Sequence, residues 1–271
     1  MVTAAGNRDR TPPLKPPHLL TTLTDRRGVA VAVTGEATTA VVEMAAHGEW
    51  SPQFGNQISA CLRLCLAGPS LFTIIDLHHL DDPPGLSMPF WAAAWSRARL
   101  AASPVELMFC VPGTSSLGRR LRVVDGPRLF AGTAQARLAV APMVSRTDRL
   151  QVRLEPRPDR VRVARDLVKQ ACRDWGLPHL LHDASLTASE LAANAVEHAG
   201  SDFVVTLSRQ ADRLHVAVQD GARAFPRLHR PAAAGPAATP RGRGLLLVDA
   251  VAAAWGAMPT RGGKVVWATL M

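Results

Sequence analysis

Between residues 28 and 141 short β-rich stretches alternate with stretches of helical period, and no other feature restricts the possible folds of this chain as tightly. Residues 29–33, 38–44, 71–77, 105–111 and 128–130 read as strands. Residues 52–67, preceded by Ser51 as N-cap, 87–102, 115–124 and 134–140 read as helices. Such alternation gives an α/β unit, a mainly parallel sheet with helices packed on it.

After residue 142 the order changes. A strand over 150–154 leads into helices over 159–175 and 180–198, then into two antiparallel strands, 203–209 and 213–219, joined at Ala211-Asp212. Residues 226–241 are rich in proline and alanine, have no period and read as a flexible loop. A helix over 243–255 and a strand over 264–270 close the chain. Residues 1–27 carry Pro12, Pro13, Pro16 and Pro17 among polar residues, and that composition is expected to form a mobile tail. The expected organisation is a tail (1–27), an N-terminal unit (28–141) and a C-terminal unit (142–271).

With 31 Lys and Arg against 22 Asp and Glu, the 271-residue chain has a net charge of +9. A polyanionic partner is therefore in question. The excess is uneven: residues 28–141 are neutral, whereas residues 142–271 carry +6. Between Gly221 and Val248 there are five arginines and no acid, so much of the excess is concentrated there. Arg119, Arg120 and Arg122 lack interleaved aromatic residues, so direct nucleic-acid binding is not expected. Cys61, Cys65, Cys110 and Cys172 lie in apolar surroundings without CxxC spacing, no apolar leader is evident, and no run reaches a membrane-spanning length. A reduced, cytoplasmic protein is expected. His78, His79, Asp81 and Asp82 sit side by side near a strand end, where neighbours point to opposite faces, and they read as surface polarity rather than a metal cluster.

The chemistry concentrates in Ser189-Glu190-Leu191-Ala192-Ala193-Asn194-Ala195-Val196-Glu197-His198-Ala199. Glu190, Asn194 and His198 are spaced i, i+4, i+8 and share one stripe of a helix. Val218-Gln219-Asp220-Gly221 then ends a strand, Arg241-Gly242-Arg243-Gly244-Leu245 opens a helix, and Gly262-Gly263-Lys264-Val265-Val266-Trp267-Ala268 begins the last strand.

In this order and spacing the C-terminal unit resembles the GHKL-type ATPases, and within them the anti-sigma regulatory factor serine/threonine kinases. The resemblance implies a Bergerat-type α/β sandwich with a mixed sheet. It also implies roles residue by residue. Asn194 would hold Mg²⁺ against the phosphates of ATP, since an amide oxygen suits a hard cation. Glu190 would be the general base toward a partner's hydroxyl, and Asp220 would accept from the adenine amino group beside Gly221. Gly242, Gly244 and Leu245 would bring backbone to the phosphates at a helix start, with Arg243 and His198 adding positive charge. The family usually follows the aspartate with a spaced glycine pair, whereas this chain reads Asp220-Gly221-Ala222-Arg223-Ala224-Phe225.

The N-terminal unit is similar to STAS domains, the fold of anti-sigma factor antagonists, through its element order and the segment Ile75-Asp76-Leu77-His78-His79-Leu80-Asp81-Asp82-Pro83-Pro84-Gly85-Leu86. Antagonists commonly carry a phosphate-accepting serine at this strand-to-helix turn. Here prolines stand in its place, and Ser87 is the nearest hydroxyl. Together the resemblances imply an ATP- and Mg²⁺-dependent protein serine/threonine kinase that switches between partners, a sigma factor or a STAS-type antagonist, with a homodimer among its assemblies. The alternative is a non-catalytic, nucleotide-responsive binding scaffold. A sensor histidine kinase is disfavoured, because no dimerising helix with a phosphoacceptor histidine precedes the ATPase-like unit.

Overall fold

In a computed structural model the structure describes residues 16–21, 23–24, 30–36, 41–101, 104–144, 149–228 and 243–271. The chain forms two sheets that share one apolar core.

The N-terminal sheet runs β2 (Leu23–Thr24), β3 (Ala30–Glu36), β4 (Val41–Glu49), β5 (Phe72–Asp76), β7 (Glu106–Cys110), β8 (Arg128–Phe130), with the short β6 (Leu80–Asp81) alongside the far end of β4. Pairing is parallel from β4 to β8 and antiparallel for β2–β3 and β3–β4, so the sheet is mainly parallel, as the alternation predicts. Helix α1 (Pro52–Ala67) has the bounds read from its period, and Ser51 caps it by accepting from the Phe54 N–H. Helices α2 (Met88–Arg99) and α3 (Ser116–Leu121) bury Trp91, Ala98 and Leu117 with α1 in one cluster, while α4 (Thr133–Val140) covers the opposite face through Ala136 and Val140. Cys61 and Cys65 are core residues.

The C-terminal sheet has the order β1 (His18–Leu19), β12 (Ala254–Thr260), β13 (Gly263–Leu270), β11 (Arg213–Asp220), β10 (Phe203–Gln210), β9 (Arg149–Leu154). Helices α5 (Arg160–Asp174), α6 (Leu181–His198) and α7 (Gly244–Val251) bury their apolar stripes on one face of it, against Val216, Val218, Val266 and Ala268. The alternate residues Ala217, Val265 and Trp267 face the other way and enter the core of the N-terminal unit. With both faces covered, β13 is buried along its whole length. At Gly35 the two sheets approach closely, since a Cβ there would lie 2.3 Å from Met258 Sδ.

Two expectations are corrected. The helix predicted over 243–255 ends at Val251, and the residues after it turn into β12, which carries Trp255. The segment Ala-Trp-Gly-Ala-Met-Pro-Thr has weak strand propensity. It is recruited because β13 offers a full antiparallel ladder, with Pro259 placed beyond the reach of β1. The tail expected over 1–27 is also structured where it is described. His18 and Leu19 add a parallel strand to β12, Leu20 is 1% exposed, and Leu23 pairs with β3. Proline content hid His18, stacked on Trp267, and Leu20, whose N–H donates to the Ala257 carbonyl, both with partners more than two hundred residues away. The rest of that tail lies outside the described residues.

His215 sits on the covered face of this sheet, 5% exposed. The Thr269 hydroxyl is 2.8 Å from its Nδ1 and Gln210 Oε1 is 3.2 Å from its Nε2, which suits a neutral ring. Burial, and secondarily the charge of Arg213, pushes its pKa down to about 4. A depressed histidine pKa means that the unfolded chain binds the proton first. This contribution is therefore complete above about pH 6.5 and lost as pH falls toward 4, amounting to roughly 3 kcal/mol in all. Urea-unfolding midpoints should fall across that window in the wild type and fall less in His215→Asn.

Candidate functional site

Helix α6 packs Ala184, Ala188, Leu191, Ala192 and Ala195 against the sheet. Because helical side chains recur every 3.6 residues, this leaves Glu190, Asn194 and His198 on the flank that lines a cavity of about 780 Å³. The stripe predicted from the sequence thus faces one space. Val218 and Asp220 from β11, and Lys264 and Val266 from β13, form its floor, while Ala224, Phe225, Pro226 and Arg227 border it from the chain after β11.

Gly244 and Leu245, at the start of α7, close the cavity beside Glu190. A Cβ on Gly244 would lie 2.3 Å from Glu190 Oε2, so glycine lets the helix start meet this carboxylate without the glutamate side chain having to swing aside. The first backbone N–H groups of a helix have no intrahelical acceptor and carry its positive dipole end, a ready anion site. Burial, and then the neighbouring charge of Glu197, raise the pKa of Glu190 above the usual carboxylate range. A raised pKa strengthens a carboxylate as a proton acceptor, provided the pH keeps it ionised.

On the cavity floor Asp220 is 6% exposed, and its Oδ1 accepts from Lys264 Nζ at 2.9 Å and from the Ala222 N–H at 2.8 Å. Gly221 lies next to the cavity and donates its N–H to Ser201 Oγ. Arg243 is the exposed N-cap position of α7, adjacent to the lining but not part of it. Gly242 and most of the predicted loop, residues 229–242, lie outside the described residues. The expected set therefore divides: Glu190, Asn194, His198, Asp220, Gly244 and Leu245 share one cavity, and Gly221 and Arg243 flank it. Lys264 was not anticipated as a site residue. Its signal was legible, since it is one of only three lysines in an arginine-rich chain and stands in a mostly apolar strand.

In the N-terminal unit, the turn that would carry a phosphate acceptor is closed. Asp82 Oδ1 accepts from the Leu86 N–H, and its Oδ2 accepts from both the N–H and the hydroxyl of Ser87. Ser87 is 0% exposed and its Oγ also accepts from the Trp91 indole, so this hydroxyl is part of a buried hydrogen-bond network at the start of α2.

Residues 154–270 match the family model of the histidine kinase-like ATPase domain. Among solved structures, the chain is similar to the RsbU and RsbW domains of Rv1364c from Mycobacterium tuberculosis. That match has 21% identity and a TM-score of 0.35, and covers 45% of this chain and 32% of that one. The chain thus spans about a third of the length of that structure. It is also similar to an anti-sigma factor antagonist from Mycobacterium paratuberculosis, at 15% identity and a TM-score of 0.35, covering 44% of this chain and 98% of that one. No curated protein matches.

Proposed function

We propose that the histidine kinase-like ATPase domain of this chain binds ATP with Mg²⁺ in the 780 Å³ cavity and transfers the γ-phosphoryl group to a serine or threonine of a STAS-type antagonist, within an anti-sigma partner-switching system. One observation carries this reading. A carboxylate, a carboxamide and a helix N-terminus line one nucleotide-sized cavity, and a buried acidic group lies on its floor.

The residues fit the roles. The Asn194 amide oxygen would hold Mg²⁺, which supplies neutralisation of phosphate charge when bound. The N–H groups of Gly244 and Leu245 hold the phosphates, with His198 and Arg227 contributing to the positive surroundings. Glu190 takes the proton of the incoming hydroxyl as its oxygen bonds to the γ-phosphorus and ADP leaves. Phosphoryl transfer depends mainly on positioning and charge stabilisation, so this small set suffices. We assign the catalytic unit to residues 142–271 and a docking or sensing role to residues 28–141. Among the described residues no helix is long and apolar enough to cross a membrane, and we place the protein in the cytoplasm, with ATP.

Calorimetric titration tests the binding half of the proposal. Asn194→Ala should weaken Mg²⁺-ATP binding by about tenfold or more, with a smaller loss when Mg²⁺ is omitted, because it removes one ligand of a hard cation. Unchanged affinity would remove Asn194 from the metal site. A second reading, a nucleotide-responsive scaffold without transfer, is favoured by the closed Asp82–Ser87 turn and by the core that the two units share.

A further inference from the structure

The cavity floor is a tile of four side chains on two neighbouring strands. The register pairs Val218 with Val266 and, two residues along the same face, Asp220 with Lys264. The valines, with Leu191 and Leu245, give a flat ring apolar walls, and the ion pair ends the tile.

Lys264 is 6% exposed, in a strand that is otherwise apolar on this face. A buried ion pair seldom adds stability over apolar residues of similar volume, so stability alone does not account for a lysine here. The pair has recognition capacity left. An ammonium has three donors, of which Asp220 takes one, and a carboxylate has about four acceptor positions, of which Lys264 and the Ala222 N–H fill two. A donor and an acceptor therefore stand side by side at the end of an apolar slot.

We infer that Lys264 reads the nucleotide base: its ammonium donates to ring N1 of adenine while Asp220 accepts from the neighbouring exocyclic amino group. This rests on the reading of the cavity as an ATP site. Guanine in the same pose would set its carbonyl oxygen against the carboxylate and its N1–H against the ammonium, two contacts of like with like. Lys264 is thus a specificity-determining residue as well as the counter-charge of Asp220.

The test is calorimetry on the full chain with Mg²⁺, comparing ATP, GTP and 1-deaza-ATP, in which N1 is replaced by C–H. Wild-type protein should bind 1-deaza-ATP about tenfold or more weakly than ATP, the loss of one charge-assisted hydrogen bond, and GTP at least as weakly. Lys264→Met should bind ATP and 1-deaza-ATP equally. Because that change leaves Asp220 buried without its counter-charge, the double variant Asp220→Asn/Lys264→Met, which removes both charges, is measured alongside and should show the same equality. If ATP binds and 1-deaza-ATP binds as tightly, or if the discrimination survives in both variants, Lys264 does not read the base, although the cavity remains an ATP site. Tighter binding of GTP than of ATP would likewise overturn the assignment. Absence of any saturable ATP binding would overturn the reading of the cavity together with this inference.

Discussion

Glu190→Gln is expected to lower phosphoryl transfer from ATP to a STAS-type antagonist by at least about 100-fold while leaving Mg²⁺-ATP binding in place. The carboxylate lies against the start of α7, within 2.3 Å of where a Gly244 Cβ would be, beside the helix N–H groups proposed to hold the phosphates. Glutamine keeps the shape and removes the proton acceptor. The pH profile gives a second readout. Burial and Glu197 raise the Glu190 pKa above its ordinary 4.5, and the ionised form is the active one. Transfer in the wild type should therefore decline as pH falls through that raised value, and the residual activity of Glu190→Gln should lack this limb. Radiolabel transfer from γ-labelled ATP to an antagonist carrying a serine at its strand-to-helix turn measures both. Transfer that persists at the wild-type rate would remove Glu190 as the base. Wild-type protein that binds ATP and transfers nothing to any such antagonist would leave the scaffold reading.

Trp267→Ala is expected to cost about 3–5 kcal/mol of folding stability. The indole is 0% exposed and belongs to the same cluster as Leu20, Val33 and Val42, so it joins the C-terminal sheet to the N-terminal unit. His18 stacks on it with ring centroids 6.0 Å apart. The loss is moderated because the indole Nε1 is buried with no hydrogen-bond partner among the described residues, and alanine relieves that penalty. The cost should thus fall toward the lower end of the range, and Trp267→Phe, which keeps an aromatic ring and removes the N–H, should cost far less. Urea unfolding followed by circular dichroism and tryptophan fluorescence measures it, and both probes should shift together if the units rest on one core. A loss below about 1 kcal/mol would show that the two units are stable independently of this contact.

Short-range periodicity explains which parts of the site are legible in the sequence. Glu190, Asn194 and His198 share a helix face because their spacing matches the helical period, which depends only on residues within two turns of one another. The strands 203–209 and 213–219 were legible for a similar reason, as alternating stretches around a two-residue turn, where Ala211 adopts a φ of 56°. Helix α1 announced its start locally, through Ser51. By contrast, β12 and the strand at His18–Leu19 have little local preference for their conformation, and β12 takes its form from the ladder that β13 presents.

The sequence by itself determined the two α/β units, the helix that carries the base and metal candidates, and the glycine that lets α7 approach them. Each of these follows from short-range periodicity or from the steric needs of one residue. Tertiary structure alone decided that Lys264 pairs with Asp220, that Ser87 is sealed beneath Asp82, and that the second face of the C-terminal sheet is buried against the N-terminal unit. Lys264 and Asp220 are 44 residues apart, and a one-residue slip of β13 against β11 would turn the lysine to the opposite face. Strand register, and the partner that covers each face of a sheet, are set by burial summed over the whole molecule, which no local stretch of sequence encodes.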